Sequence, residues 1–298
     1  MNQAIGRIVL TAPRRRAAGR WRWLLILPAL LLVLLFLGVP YLNIVVMSFR
    51  TPSTGAPYAP GFTVASYAKA LSDPLYLGIL WRTLRISVLV TALCLLIAYP
   101  VSYHLARTRS RFRGLLFACI LSPLLVGVVI RCYGWIILLA NNGLVNVTLR
   151  QWGLIRRPLP MLNNEFGVTL GLVHIYLPFM ILPLLGAIQG INPSLEEAAR
   201  SLGASRIWVM RHVVWPLSAP GVQSGTVLVF VLSVSSYVTP VVLGGSRVQM
   251  MAPIVVQQLD EAFLWPFGTA LAIVLAITGG LSVVAWFRIT QRLFKGAL

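Results

Sequence analysis

The sequence predicts an all-α polytopic membrane protein with six membrane-spanning helices. Of its 298 residues, 58% are hydrophobic and only 10% are charged, and the mean hydropathy is +0.84. This composition is not that of a soluble domain. A helix needs about 20 mostly apolar residues to cross the hydrocarbon core. Six segments reach that length, and no connection between them is long enough for a separate catalytic domain; the predicted spans are about 24–47, 81–103, 114–139, 167–191, 221–243 and 268–287.

The first predicted span follows a basic tail. Arginines precede the apolar run 24–47, an order that also occurs in secretory signal peptides. The run exceeds the roughly 7 to 15 apolar residues of a signal core, and no small-residue cleavage site follows it. We therefore expect residues 1–23 to form a basic tail and residues 24–298 to form one transmembrane domain.

The charges predict the orientation of the spans. The chain has 25 basic and 6 acidic residues and a net charge of +19. Most of the basic residues lie in the tail, in the connection between the second and third spans, in segment 192–216 and near the C-terminus. The positive-inside rule then places both termini and segment 192–216 in the cytoplasm. Because the basic residues are concentrated in the loops on one side, they indicate how the spans are oriented among the membrane lipids. They do not indicate a nucleic-acid partner.

Segment 192–216 is a polar island between the fourth and fifth predicted spans. Two helix starts are possible. Asn192 and Pro193 are typical of a helix with Pro at its first position, whereas Ser194 and Glu197 could form a capping box. Either start predicts a short helix at the membrane surface.

A glycine is predicted to end this helix, and a second helix is predicted to follow. Gly203 can adopt the left-handed conformation of a helix stop at no steric cost. The second helix is expected from Ser205 to about Val214, ending before Pro216. The expected result is a helix, a turn and a helix along the cytoplasmic surface.

The polar segment resembles the EAA loop of ABC importer permeases. That loop has the pattern E-A-A, three residues, G, nine residues and then I-x-L-P. This chain has the same spacing in Glu197-Ala198-Ala199, Gly203 and Val213-Val214-Trp215-Pro216. Val213 replaces Ile conservatively, whereas Trp215 replaces Leu. The resemblance implies a type I ABC importer permease fold in which this loop contacts an ATPase subunit, and we call residues 192–216 the coupling segment.

Further stretches resemble the spermidine/putrescine importer permeases; they are Pro40-Tyr41-Leu42-Asn43, Arg131-Cys132-Tyr133-Gly134-Trp135, Asn142-Gly143-Leu144-Val145-Asn146 and Val238-Thr239-Pro240-Val241-Val242-Leu243-Gly244-Gly245. This branch implies transport of polyamines. Near relatives carry thiamine, ferric iron, opines or aminophosphonates, which stay open as alternatives. An ion-coupled secondary transporter is a further alternative, but that class ordinarily has intramembrane acids and an inverted repeat, and the sequence displays neither.

The resemblance also implies partners. The chain has no G-x-x-x-x-G-K-[ST] phosphate-binding loop, so ATP and Mg are expected on a separate ATPase subunit dimer. We expect no cofactor and no catalytic residue on this chain. A related but distinct second permease would complete the path in the inner membrane, and an extracytoplasmic substrate-binding protein would deliver the solute. The residues expected to couple to the ATPase are Glu196, Glu197, Ala198, Ala199, Gly203, Arg206 and Pro216.

The fifth predicted span offers hydroxyl groups for a substrate path. Thr226, Ser233 and Tyr237 follow each other at spacings of seven and four, which places them on one helical stripe. Alternatively, these hydroxyls bond back to their own helix or to a neighbour, as they commonly do in membranes. Pro240 is expected to break this helix near the outer face.

Charged residues near the outer face are candidates for substrate contact. Asp260 and Glu261 precede the sixth span, and Trp265 could add a cation-π contact; the alternative is a solvated loop or a dock for the binding protein. Arg131 lies within the third span, where we expect it to anchor at the outer interface, to pair with Glu165, Asp260 or Glu261, or to contact substrate. No spacing of cysteines or histidines indicates a metal site.

Overall fold

The computed structural model describes residues 21–53 and 56–293, and most of them are helical. The predicted tail 1–23 lies mainly outside the described residues. The first helical stretch consists of α1 (Trp21–Val33), a π-helical turn (Leu34–Gly38) and α2 (Val39–Ser48). Pro40 accounts for the π turn, because it has no N–H to donate to the carbonyl four residues earlier.

After α2 the chain forms a small antiparallel hairpin and then a series of helices. The hairpin pairs β1 with β2. Short turns of other helical types, at Ser122–Leu125, Met210–Val214 and Pro240–Gly244, interrupt the series. The elements are β1 (Arg50–Thr51), β2 (Ala59–Phe62), α3 (Ala65–Ser72), α4 (Pro74–Arg107), α5 (Arg113–Leu121), α6 (Val128–Leu139), α7 (Leu144–Gln151), α8 (Glu165–Gln189), α9 (Pro193–Ser201), α10 (Arg206–Val209), α11 (Trp215–Leu217), α12 (Ala219–Val234), α13 (Met251–Asp260) and α14 (Trp265–Leu293).

The main core lies among α4, α8 and α12. Gly221 of α12 allows α8 and α12 to pack closely, since a Cβ at this position would lie 2.5 Å from the Cβ of Ala187 and 2.9 Å from the carbonyl oxygen of Pro183. Small residues commonly permit such close packing of membrane helices. Side chains from all three helices fill the interior, among them Val90, Cys94, Leu172, Met180, Leu184, Val222 and Val229.

A second apolar cluster joins α3, the first turns of α4, α13 and α14. Phe267 and Leu271 of α14 pack with Met251 of α13 in this cluster. The hydroxyl of Thr83 accepts a hydrogen bond of 2.9 Å from the backbone N–H of Met251, which fixes the start of α13 against α4. No helix was predicted between the fifth and sixth spans, so α13 is an addition to the expected architecture.

The third predicted span, 114–139, is not a single helix. α5 continues into the 3-10 turn Ser122–Leu125, the chain is extended at Val126, and α6 begins two residues later. Pro123 lies in that turn and cannot donate a backbone hydrogen bond, so a regular α-helix does not continue through it. The prediction of one uninterrupted helix is therefore wrong.

The fifth predicted span, 221–243, is also interrupted. α12 ends at Val234, residues 235–237 are not helical, and a π turn starts at Pro240. Pro240 lacks the N–H that would bond to the carbonyl of Ser236. The break predicted at this proline is confirmed, and it falls a few residues before the ring.

By length and composition, five helical stretches of the described residues are able to cross a membrane, or six if one bent pair counts as a span; they are Leu27–Ser48, Pro74–Arg107, Val128–Gln151, Glu165–Gln189, Trp265–Arg292 and the pair Arg206–Leu217 with Ala219–Val234. The polytopic helical architecture is therefore as predicted. α4 and α14 extend beyond both ends of their predicted spans.

Candidate functional site

The coupling segment begins with an asparagine cap. The side-chain Oδ1 of Asn192 accepts a hydrogen bond of 3.1 Å from the backbone N–H of Ser194, and Pro193 is the first residue of α9. Of the two predicted starts, the structure thus has the one at Asn192. Gly203 has a φ of +86°, which is the left-handed stop that its position predicted.

The second helix of the coupling segment extends further than predicted. Ser205 caps it by accepting a hydrogen bond of 3.3 Å from the N–H of Trp208. The helix then continues through the π turn Met210–Val214 and ends at Leu217. Pro216 does not end it, because the π turn has already shifted the hydrogen-bond pattern ahead of the ring. The chain bends by 68° between this helix and α12.

Glu196 is buried against α4. Its side chain is 6% exposed and lies 2.7 Å from Nη2 of Arg107. The hydroxyl of Tyr103 and Nε of Arg107 each donate a hydrogen bond of 2.8 Å to the carboxylate. Arg107 also donates to the carbonyl of Ile191 at 3.1 Å, and Arg200 lies 3.6 Å from Glu196 on the next helical turn. A charge-assisted network therefore links the coupling segment to the end of α4.

The opposite face of the coupling segment is exposed and partly apolar. Glu197, Ala198 and Arg206 are exposed, while Ala199 is half-buried. Leucine and isoleucine side chains that would be buried in an isolated soluble protein project from this face: Leu195 is 48% exposed, Leu202 90% and Ile207 81%. Exposed apolar side chains in a polar segment are typical of a protein contact surface.

Trp215, the residue that departs from the EAA pattern, packs inward. Its ring lies 4.8 Å from that of Tyr99, measured between centroids. The hydroxyls of Tyr99 and Ser218 are 3.0 Å apart and form a hydrogen bond. The tryptophan thus fixes the bend before α12 against α4.

The three hydroxyl residues of the fifth span do not share a continuous stripe. Thr226 donates to the carbonyl of Val222 at 2.7 Å and accepts a bond of 2.8 Å from Nε1 of Trp286 on α14. Ser233 is fully buried, and its hydroxyl has no hydrogen-bond partner among the described residues. Tyr237 lies beyond the end of α12. The first two therefore lie in the packed interior of the chain, as the alternative interpretation held for Thr226.

Two of the candidate substrate residues do meet. Tyr237 and Glu261 line the same open cavity, of about 260 Å³, between the break in the fifth span and α13. Asp260 and Trp265 are exposed but do not line it. The structure thus brings together one aromatic ring and one carboxylate.

Arg131 does not make the expected ion pairs. Glu165 is paired instead with Arg82, at 3.5 Å, and with Arg85. Nε and Nη1 of Arg131 are buried and have no hydrogen-bond partner among the described residues. The predicted pairing with Glu165, Asp260 or Glu261 is wrong, since Arg131 makes no ion pair among the described residues.

Comparisons with known proteins agree with this arrangement. The family of binding-protein-dependent transport system inner membrane components matches residues 29–296. The chain belongs to this family. It is therefore an ABC importer permease subunit of the inner membrane, and the resemblance seen in the coupling segment is confirmed.

Individual relatives extend over nearly the whole permease. The spermidine/putrescine transport system permease protein PotB of Haemophilus influenzae is 33% identical over 261 residues, which are 88% of this chain and 91% of that protein. PotB of Escherichia coli K12 is 32% identical over 263 residues, covering 88% and 95%. A solved bacterial alginate ABC transporter in complex with an alginate pentasaccharide-bound periplasmic protein shares the fold, with a TM-score of 0.74 at 17% identity over 93% of this chain and 96% of that one.

Two residues that hold the coupling segment against α4 were not predicted from the sequence. Tyr103 and Arg107 were assigned to a span and to a topology-setting loop, yet both bind Glu196. Their spacing of four residues at the end of a span places both on one helical face. That spacing indicates a shared partner but not which one, because Glu196 is 89 residues away from Arg107 along the chain.

Proposed function

We propose that this permease forms half of the translocation path of an ATP-driven importer of polyamines such as spermidine and putrescine. The observation that carries the proposal is its similarity, over 88% of its length, to two permeases that are named for those substrates. Thiamine, ferric iron, opines and aminophosphonates are the alternative cargoes of the same machine.

The coupling segment is proposed to receive the force of ATP hydrolysis. Its exposed face, with Leu202 and Ile207 beside Glu197, would insert into a cleft of an ATPase subunit dimer that binds ATP and Mg. Ala198 has no side chain beyond Cβ and permits a close approach. Glu196, held by Arg107, would then transmit the displacement of α9 to the whole length of α4.

The remaining parts of the machine are proposed from the same argument. A second, related permease would supply the other half of the path, and closure of the ATPase dimer would rock the two halves against each other. Both termini and the coupling segment would face the cytoplasm. A substrate-binding protein would dock on the opposite side, near the hairpin and α13.

Reconstitution tests the proposal. The permease, its partner subunits and the binding protein are incorporated into liposomes, and ATP hydrolysis is measured with spermidine, putrescine, thiamine, Fe(III) or an aminophosphonate. We expect a polyamine to stimulate hydrolysis most strongly. Stimulation by an anionic substrate alone would refute the polyamine assignment, and full uptake by the isolated chain without ATPase subunits would refute the importer mechanism.

A further inference from the structure

The cavity between the break in the fifth span and α13 has walls suited to a small cation. Apolar side chains such as Val241 and Ile254 form part of its lining. The polar part comes from Tyr237, Gln249, Gln257, Glu261 and Ser246. Its volume is about 260 Å³. Since a water molecule occupies roughly 30 Å³ of liquid, this space accommodates an ammonium group with part of its alkyl arm.

The charge at this cavity is negative, in contrast to the chain as a whole. Glu261 makes no ion pair within residues 21–53 and 56–293. By comparison, Glu165 and Glu196 are each held by two arginines, and Asp73 caps α4. Glu261 also directly follows the last residue of α13, where the helix dipole adds a partial negative charge. The carboxylate that lines this cavity therefore has no ion-pair partner among the described residues, although the net charge of the chain is +19.

The uncharged side chains of the cavity complement the same ligand. Tyr237 is 43% exposed and presents an aromatic ring, which attracts a cation through its π face. Lys69 forms such a contact elsewhere in this protein, 4.7 Å from the ring centre of Phe267. The side-chain amides of Gln249 and Gln257 carry carbonyl oxygens that can accept hydrogen bonds from the three N–H donors of an ammonium group.

We propose that this cavity is a binding site for one ammonium group of the transported amine, with Glu261 as its counter-charge and Tyr237 as its aromatic wall. This inference rests on the proposed function, because it assumes an organic polycation as cargo. The site adjoins the non-helical residues 235–237. A change in the backbone conformation of this segment would therefore alter the distance between the ring of Tyr237 and the carboxylate of Glu261.

Matched substitutions test the site in the assembled importer. The complex is reconstituted with saturating spermidine-loaded binding protein, and the initial rate of spermidine uptake is measured. Glu261→Gln should lower the rate about tenfold, because a charged hydrogen-bond partner is lost. Asp260→Asn removes the adjacent carboxylate, which does not line the cavity, and should lower the rate less than Glu261→Gln does if only the lining carboxylate binds the cargo.

A second pair of substitutions isolates the aromatic ring. Tyr237→Phe retains the π face and should support uptake close to that of the unsubstituted complex, whereas Tyr237→Leu should lower it about threefold or more. Co-purification of the ATPase subunits is measured for every variant, so that loss of assembly is distinguished from loss of uptake. If Glu261→Gln fails to assemble, the comparison of Tyr237→Phe with Tyr237→Leu decides.

Two results would overturn the inference while the proposed function stands. One is normal uptake by Glu261→Gln and Tyr237→Leu, and the other is an equal loss in Asp260→Asn, which would indicate general attraction and no defined site. A complex that hydrolyses ATP in response to another solute and never takes up polyamines would refute the proposed function, and this inference with it.

Discussion

Glu196 and Glu197 are adjacent in α9, but one side chain is buried and the other is exposed. Glu196 is buried and bound by Tyr103 and Arg107, whereas Glu197 is exposed and makes no ion pair within the described residues. Removing one partner of a buried ion pair leaves the other charge uncompensated. The two glutamates therefore allow the internal stability of the coupling segment to be tested separately from its proposed contact with an ATPase subunit.

Substitution of the two glutamates should have distinct effects. Glu196→Gln leaves Arg107 with a neutral partner and should destabilise the permease by about 3 kcal/mol. The thermal midpoint should therefore fall by roughly 5 °C or more. Glu197→Gln should leave the midpoint unchanged and weaken retention of the ATPase subunits. Thermal unfolding in detergent and co-purification measure the two effects. Equal midpoints for both variants would contradict the buried network.

Substitution of Arg131 should affect the stability of the permease in the opposite direction to substitution of Arg107. An arginine in the membrane interior costs roughly 2.5 to 3.5 kcal/mol on an insertion scale, and Arg131 has no ion pair among the described residues to offset this cost. Arg131→Met should therefore leave the isolated chain at least as stable in thermal unfolding, while Arg107→Met should destabilise it. A clear loss of stability in Arg131→Met would indicate a counter-charge or bound group at that guanidinium.

The positions of most helices could be predicted from hydrophobicity, but their interruptions could not. Long apolar runs identify α4, α8 and α14, since the requirement for about 20 apolar residues is a property of the bilayer. An average over 20 residues is insensitive to one proline, so the break near Pro123 was missed although the residue was visible. The partners of Glu196 could not be predicted, because they depend on the rotation of α9 against α4.

Close packing of α8 and α12 gives a prediction for these two helices. Gly221→Ala would place a methyl group 2.5 Å from the Cβ of Ala187, so we expect a loss of about 1 to 3 kcal/mol from overpacking. Gly186→Ala is the matched control within α8. No atom lies within 4 Å of its added Cβ, and alanine is the better helix former.

Thermal unfolding of the two purified variants measures this difference. We expect Gly221→Ala to unfold at a lower temperature than the unsubstituted chain and Gly186→Ala to unfold at the same temperature or above. A midpoint for Gly221→Ala equal to that of Gly186→Ala would show that α12 is able to move away from α8 without cost.

For the chain as a whole, the short length of α12 decides how the fifth span is able to cross the membrane. With 16 residues, α12 is about 24 Å long, less than the hydrocarbon thickness of about 30 Å. The break and the π turn that starts at Pro240 must cover the remainder if the fifth span crosses the membrane. Ser246 would then lie on the side opposite to Ser205.

Cysteine labelling of intact cells tests this topology. Cys119 is exposed and is replaced by Ser, whereas Cys94 and Cys132 are buried and are retained. A membrane-impermeant thiol reagent added from outside should label Arg156→Cys and Ser246→Cys and should not label Ser205→Cys until the membrane is opened; all three native side chains are exposed. Among the helical stretches of the described residues that are able to cross a membrane, only α8 separates positions 156 and 205, and only the bent pair Arg206–Leu217 with Ala219–Val234 separates 205 and 246, so each contrast reports on one crossing. Labelling of Ser205→Cys in intact cells would reverse the orientation that the positive-inside rule predicts and would remove the coupling segment from the compartment that supplies ATP.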